Sequence, residues 1–202
     1  MELRFSDRRA REGLERLQVH QQMAVGAACC ERMLPAYVEF MREEQWGDIA
    51  SLRTALDIVW DVCARRHSED TSIQELLSSC EAAAPDGEDF SSLYVSAAQD
   101  AASATCALVE FVVARDPEQI VRVLRCSTDS VDLIVQEEGN MDPRDAQRER
   151  KILEHPLMQQ ELSRQRRDII EASRIDRSDG GALLVFRRRA AAEANLVMAE
   201  VT

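Results

Sequence analysis

The stretch MAVGAACCERMLPAY, residues 23–37, decides the fold class because its first eight residues are small or apolar. A helix that is apolar on every side is normally surrounded by other helices. Glu31 and Arg32 then add an acid and a base to the same helix. Pro35 is expected to end or kink it, since proline disfavours helical geometry at the preceding residue. The stretch therefore predicts a central, buried helix that carries two charges.

The composition extends the helical prediction to the rest of the chain. The 202 residues include only 7 glycines and 5 prolines, and aromatic residues make up 4%. Scarce turn residues and helical spacing of the apolar positions favour helices over strands. No stretch shows a convincing strand pattern. We predict an all-α fold, a single compact multi-helix domain resembling a bundle.

Local signals place the helix boundaries. A short helix carrying Tyr37 and Phe40 is expected after Pro35. Helix starts are predicted at Gly47-Asp48, Ser72, Asp116-Pro117, Asp142-Pro143 and His155-Pro156. The segment Ser178-Asp179-Gly180-Gly181 is interpreted as a linker. This divides the chain into a helical domain of residues 1–177 and a C-terminal helix within residues 178–202, packed on the same domain.

The charge balance limits the classes of partner. The chain carries 37 acidic and 25 basic residues, a net charge of −12. Residues 1–143 contain 27 acids and 13 bases, which gives −14 for that part. A strongly acidic body repels a phosphate backbone, so nucleic acid is not expected as a partner. The charge either serves solubility or attracts a basic protein partner. A homo-oligomer is a further alternative.

Cysteine usage and the N-terminus bear on location. Six cysteines lie mostly within helical patterns, where a free thiol acts as a small apolar group. The N-terminal residues MELRFSDRRAREGLE are highly charged and lack the apolar core of a signal peptide. No apolar run approaches the roughly 20 residues of a membrane span. We predict reduced cysteines, a cytoplasmic location and no membrane association.

Several sequence blocks resemble one family. They are CCERMLPAY (29–37), WGD (46–48), LDIVWDV (56–62), DFSSLYVSAAQDAASATCALVEFV (89–112) and EHPLMQQELSRQRRDII (154–170). Together they are similar to the YjaG-like family of bacterial helical proteins, catalogued as a domain of unknown function, over about residues 14–175. The chain departs from the family pattern at Leu34 and around Ser91 and Ser92. The resemblance implies an all-α cytoplasmic protein. It suggests no particular activity, because none is established for the family.

Charged residues in these blocks form a candidate polar network or pocket, composed of Glu31, Arg32, Arg53, Asp57, Asp61 and Asp100. Because apolar turns precede Arg32, its charge must be paired or remain partly hydrated. Asp57, Asp61 or Asp100 is the expected partner. The network is interpreted first as an internal ion-pair system, with a ligand pocket as the alternative. Tyr37 and Trp60 are interpreted as aromatic anchors of the core, and Arg187–Arg189 as a solvated face.

Recognisable catalytic and metal motifs are missing. The di-iron pattern of helical bundles needs Glu-x-x-His on two helices, and neither His20, His67 nor His155 has a carboxylate three residues earlier. No Cys-x-x-Cys motif occurs, and adjacent Cys29 and Cys30 point in different directions on a helix. We therefore predict no catalytic residues, no metal and no cofactor.

Two functions of different classes remain. The first is a non-enzymatic, acidic helical interaction protein, for example an immunity or antitoxin-type protein that neutralises a basic toxin. The second is an enzyme, such as a metal-dependent hydrolase, with a carboxylate site formed by Glu31, Asp57, Asp61 and Asp100. The first is preferred because no catalytic constellation emerges from the chain.

Overall fold

The computed structural model of the protein describes residues 4–65 and 72–199. These residues form helices and no strand, so the all-α prediction is confirmed. The helices are α1 (Asp7–Leu14), α2 (Val19–Glu44), α3 (Ile49–Cys63), α4 (Ile73–Ala82), α5 (Val95–Ala114), α6 (Pro117–Glu138), α7 (Arg148–Glu154), α8 (Pro156–Ala172) and α9 (Gly180–Ala199).

Helix α2 is the centre of the fold. It packs against α3, α5, α6, α8 and α9, and every residue from His20 to Leu34 is buried. Small residues let the neighbours approach closely. At Gly26 an added Cβ would lie 2.9 Å from a methyl group of Leu108 and 3.0 Å from one of Ile120. The apolar stretch of α2, residues 23–30, is thus enclosed on all sides, as its sequence predicts.

Pro35 does not end α2. The helix continues through it to Glu44, so the prediction of a separate short helix is wrong. Proline removes one helical hydrogen bond, but tertiary contacts hold the following turns in place. The hydroxyl of buried Tyr37 donates to the Ala83 carbonyl at 2.5 Å and accepts from the Asp48 amide at 3.0 Å. Tyr37 therefore ties α2 to the end of α4 and the start of α3.

Most predicted helix starts are confirmed, and one is wrong. The side chains of Asp48, Ser72 and Asp116 each accept a hydrogen bond from an amide in the first turn of α3, α4 and α6. Asp142 instead accepts from the Arg144 amide in a turn, and α7 begins only at Arg148. The Asp-Pro pair there stabilises a local turn, an alternative use of the same side-chain chemistry.

The glycine pair predicted as a linker lies inside a helix. Gly180 and Gly181 form the first turn of α9, and Asp179 accepts a hydrogen bond from the Ala182 amide at 2.8 Å. Helix α9 then runs against α2. Leu183, Phe186 and Ala190 are buried in the same apolar cluster as the residues of α2. The C-terminal helix thus shares its core with the helices before it.

Helix α5 is 20 residues long and apolar enough, by length and composition, to cross a bilayer. It begins at Val95 and packs against α2, α4 and α6 with most of its residues buried. A core helix in contact with neighbours along its length has this composition too.

All six cysteines are free and buried. Burial raises the pKa of Cys63 to about 12 and that of Cys126 to about 11. A thiol with a raised pKa is rarely a thiolate at neutral pH and reacts slowly. Cys63 and Cys126 therefore behave as small apolar residues of the core, whereas a hydrogen bond from Cys80 lowers the pKa of Cys106.

Candidate functional site

Four of the charged residues predicted as one network, Glu31, Arg32, Arg53 and Asp57, are divided between two networks that meet α2 on different sides. Glu31 and Arg32 are adjacent, and adjacent residues point about 100° apart around a helix. Glu31 faces α3, whereas Arg32 faces α8. Helix α9 contributes an arginine to each network.

The Glu31 network consists of Glu31, Arg53, Asp57 and Arg187. The guanidinium of Arg53 donates two hydrogen bonds to the buried Glu31 carboxylate, at 2.7 and 2.9 Å. Arg187 Nε donates to the same carboxylate at 3.2 Å, and Arg187 also forms an ion pair with Asp57. The four formal charges sum to zero. Such paired, bidentate contacts stabilise a carboxylate that burial alone would destabilise.

Trp60 completes the surroundings of Glu31. This side chain is 1% exposed, and its indole N–H donates to Glu31 at 3.0 Å. The Arg187 guanidinium lies 5.8 Å from the centre of the Trp60 ring, within the range of a cation–π contact. The Phe186 ring packs edge-on against Trp60. Trp60 therefore joins α2, α3 and α9 by both apolar and polar contacts.

The Arg32 network consists of Arg32, Glu161, Asp168 and Arg189. Arg32 is buried and donates to Glu161 at 3.0 and 3.1 Å and to Asp168 at 2.8 Å. Arg189 Nη2 donates to the other oxygen of Asp168 at 2.8 Å. Asp168 is fully buried between the two guanidinium groups. These bonds join α2, α8 and α9 through charges withdrawn from water.

Glu161 has further donors that keep it ionised. The Ser127 hydroxyl donates to Glu161 at 2.7 Å and the Gln165 amide at 3.1 Å. Burial by itself would raise the pKa of the Glu161 carboxyl. The charge of Arg32 and the hydrogen bonds from Arg32, Ser127 and Gln165 outweigh burial and hold this pKa below its usual value.

Sequence reasoning missed the partners of Arg32. The structure places Arg32 in contact with Glu161 and Asp168, and not with Asp57, Asp61 or Asp100 as predicted. A usable signal was present, because positions 161 and 168 are two turns apart and share one face of α8. That face also needed to be recognised as the one turned toward α2.

The arginine cluster of α9 differs from its predicted role. Arg187 and Arg189 bond to buried carboxylates, and only Arg188 of the three is exposed. Positions 187 and 189 are separated by about 200° around the helix, so their long side chains reach different carboxylates from one helix. The prediction of a wholly solvated face is therefore wrong.

The four carboxylates proposed as an alternative metal site do not form one cluster. Glu31 and Asp57 share arginine partners, and Asp61 lies one turn further along α3. Asp100 lies on α5 and accepts a hydrogen bond from Ser130 of α6 at 3.0 Å. Across residues 4–65 and 72–199, no three His, Cys, Asp or Glu side chains are placed to hold a metal ion. His67 lies outside the described residues.

Asp100 is the carboxylate with the clearest pH dependence. Burial raises its pKa from its usual value of 3.8 to about 6, although the Ser130 hydrogen bond opposes this. Asp129, nearby on α6, adds like charge, and Asp100 in turn raises the pKa of Cys126. Because the folded-state pKa exceeds the unfolded one, the stabilisation from protonated Asp100 is complete below pH 3.8 and is lost as the pH rises through about 6.

We expect Asp100→Asn to stabilise the protein at pH 8 by roughly 1–2 kcal/mol, a value discounted for partial exposure. The amide is uncharged and can still accept from Ser130. At pH 4 the variant should match the parent, since Asp100 is then largely protonated in the folded state. Denaturant midpoints at both pH values measure this, with exposed Asp89→Asn as control. An equal shift at both pH values would contradict the assignment.

The chain is similar to known proteins over most of its length. A family model described as "Protein of unknown function (DUF416)" matches residues 9–195. The uncharacterized protein YjaG of Escherichia coli is 28% identical over 149 residues, which cover 73% of this chain and 74% of that protein. The uncharacterized protein YjaG of Salmonella typhimurium is 26% identical over 149 residues, with the same coverage of both chains.

A solved structure shares the fold. The crystal structure of a DUF416 family protein from Shewanella baltica superposes with a TM-score of 0.77 and is 24% identical. The match covers 89% of this chain and 92% of that chain. At this identity the likeness concerns the helical architecture alone.

Proposed function

The chain belongs to the DUF416 family, whose description assigns no function, so we propose a role from its own surface: a non-enzymatic, acidic helical protein that binds a basic protein partner. A neutralising role of the immunity or antitoxin type is one concrete form of this proposal. It concerns the exterior of the molecule, because the Glu31 and Arg32 networks compensate their charges internally.

One surface carries the proposal, and we name it the acidic ridge: Glu81, Asp86, Glu88 and Asp89, at the end of α4 and in the following loop. All four side chains are exposed, and none forms an ion pair with a described residue. Among the described residues, the Asp86 carboxylate accepts one hydrogen bond, from the Glu88 amide at 3.1 Å. Uncompensated acids on a surface attract a basic partner over about 8 Å at physiological ionic strength and speed its association.

Exposed apolar residues flank the acidic ridge. Leu93 is 75% exposed and Trp46 is 38% exposed. Trp46 is held against Phe90 with ring centres 5.0 Å apart, and Phe90 contacts Phe40 at 5.1 Å. Protein interfaces commonly place rigid aromatic side chains beside charged rims. The acidic ridge supplies charge that attracts a partner, and the apolar residues beside it supply contact area.

The carboxylate-site enzyme receives no comparable support. Arginine side chains already occupy both oxygens of Glu31 and one oxygen of Asp57, and Asp100 bonds to a different helix. A metal would have to displace these arginines. We therefore do not propose the hydrolase.

The test compares two variants of equal charge. In the ridge variant, Glu81, Asp86, Glu88 and Asp89 become Gln or Asn. In the control, exposed Glu12, Glu15, Glu137 and Glu149 become Gln, so both proteins change from −12 to −8. We expect affinity capture from host lysate at low salt to recover a basic protein with the parent and the control but not with the ridge variant. The association rate of the purified pair should fall with added salt.

Two outcomes would overturn the proposal. One is equal loss of the captured protein by both variants, which would show that only net charge matters. The other is capture of no basic protein together with stoichiometric Mg²⁺ or Mn²⁺ binding, measured by calorimetry and lost in Asp57→Asn. That second result would revive the carboxylate-site enzyme.

A further inference from the structure

A cleft of about 410 Å³ opens between α1 and α8. We name it the α1–α8 cleft. Its apolar lining comes from the N-terminal segment and from α1, α6 and α8; it includes Phe5, Ala10, Leu124, Leu162, Ile169 and Ile170. The volume lies within the range of small-molecule sites, which are mostly apolar with a few placed polar groups.

The depth of the cleft depends on small residues of α1. Ala10 and Gly13 are three positions apart and face α8 together. An added Cβ at Gly13 would lie 3.5 Å from Ile169, an ordinary contact distance. A larger side chain at Gly13 would therefore enter the cleft without a backbone clash, and its absence leaves space beside Ile169.

The polar lining of the cleft is basic. Arg4, Arg9 and Arg166 lie at the cleft, and the lining contains no Asp or Glu. In the described part of the chain these three arginines form no ion pair. Two other arginines of α1 do form ion pairs: Arg8 with Glu12 at 3.9 Å, and Arg11 with Glu118. On a protein of net charge −12, three unpaired guanidinium groups around an apolar cleft are a local reversal of charge.

The apolar surface continues past Phe5. A second cavity of about 420 Å³ shares Arg4, Phe5 and Leu162 with the α1–α8 cleft. It extends along α7 and the start of α8, where Ile152 and Met158 contribute apolar lining. Asp132 and Glu149 also line this second cavity, so a linear apolar chain longer than the first cavity would reach Ile152 and Met158 beside two carboxylates.

We propose that the α1–α8 cleft binds the anion of a fatty acid. The hydrocarbon chain lies on the apolar lining, and the carboxylate bonds to the arginines at the edge. Arginine presents paired N–H donors that match the two oxygens of a carboxylate. Burial of the chain supplies the affinity, and the charge selects an anionic over a neutral or cationic head group. The proposal is independent of the partner proposed for the acidic ridge.

The test uses dodecanoate below its micelle concentration, with dodecyltrimethylammonium as a probe of equal tail and opposite charge. We expect calorimetry to show one dodecanoate site per chain and no comparable site for the cation, although the protein is acidic overall. Between octanoate and dodecanoate the affinity should rise by up to about fourfold per added methylene group.

Matched variants locate the site. Arg9→Gln and Arg166→Gln should each weaken dodecanoate binding by about tenfold, the effect of losing a charged hydrogen bond. Arg8→Gln, on the same helix but outside the lining, should change it less than twofold. Gly13→Leu should abolish binding by filling the cleft, and circular dichroism checks that each variant is folded. Equal effects of Arg8→Gln and Arg9→Gln, or tighter binding of the cation, would overturn the proposal.

Discussion

Arg32→Ala is expected to lower the free energy of unfolding by about 3–5 kcal/mol, because it leaves Glu161 and Asp168 buried beside a missing charge. Glu161 and Asp168 are 3% and 0% exposed, so bulk water does not solvate their charges. Asp168 retains its hydrogen bond from Arg189. The donors that remain on Glu161, Ser127 and Gln165, are uncharged. Domains are usually stable by only about 5–15 kcal/mol, so the variant should unfold at a much lower denaturant concentration.

Two companion variants separate loss of the charge from general damage to the protein. Arg188→Ala, at the exposed arginine of α9, should change stability by less than about 0.5 kcal/mol. Combining Arg32→Met with Glu161→Leu removes both charges of the closest pair and should recover part of the loss. A midpoint for Arg32→Ala equal to that of the parent would show that the Arg32 network contributes nothing to stability.

Deletion of residues 178–202 should have a still larger effect and abolish cooperative unfolding. The deletion removes Leu183, Phe186 and Ala190 from the core and exposes Trp60. It also removes Arg187 and Arg189, which leaves Glu31 and Asp168 each with one arginine fewer. The measurement is chemical denaturation followed by circular dichroism. A cooperative transition in the shortened protein would support residues 1–177 as a domain that folds alone.

Single substitutions in α9 test the same contact without shortening the chain. Phe186 is buried, and Phe186→Ala should cost about 3–5 kcal/mol. Val185 is 67% exposed, and Val185→Ala should cost less than about 0.5 kcal/mol. If both variants lost the same stability, α9 would not be packed on α2 as the structure shows.

The central helix and most helix starts could be predicted because their causes are local. The apolar residues before Glu31 exclude any solvent-facing side, so burial of α2 follows from the stretch itself. Asp48, Ser72 and Asp116 cap helices through amides two or three residues away, a contact that depends only on nearby backbone.

Local rules failed where distant contacts compete with them. Pro35 would end an isolated helix, but Tyr37 bonds to Ala83 and Asp48 and keeps the next turns of α2 in place. Gly180 and Gly181 would favour a linker, but the burial of Leu183 and Phe186 stabilises α9 from its first turn. A glycine in a helix costs roughly 1 kcal/mol of stability relative to alanine. The burial of one large apolar side chain contributes more than this.

The sequence by itself determined that Glu31 and Arg32 lie on an enclosed helix and that their charges need partners, because an unpaired buried charge is too costly. Helix geometry places the two side chains about 100° apart, although both were predicted to belong to one network. Only the tertiary structure decided that Glu31 meets Arg53 and Arg187, and that Arg32 meets Glu161 and Asp168. The physical reason is that helical periodicity defines the faces of each helix, whereas the choice of facing helix depends on how all the apolar surfaces are buried together.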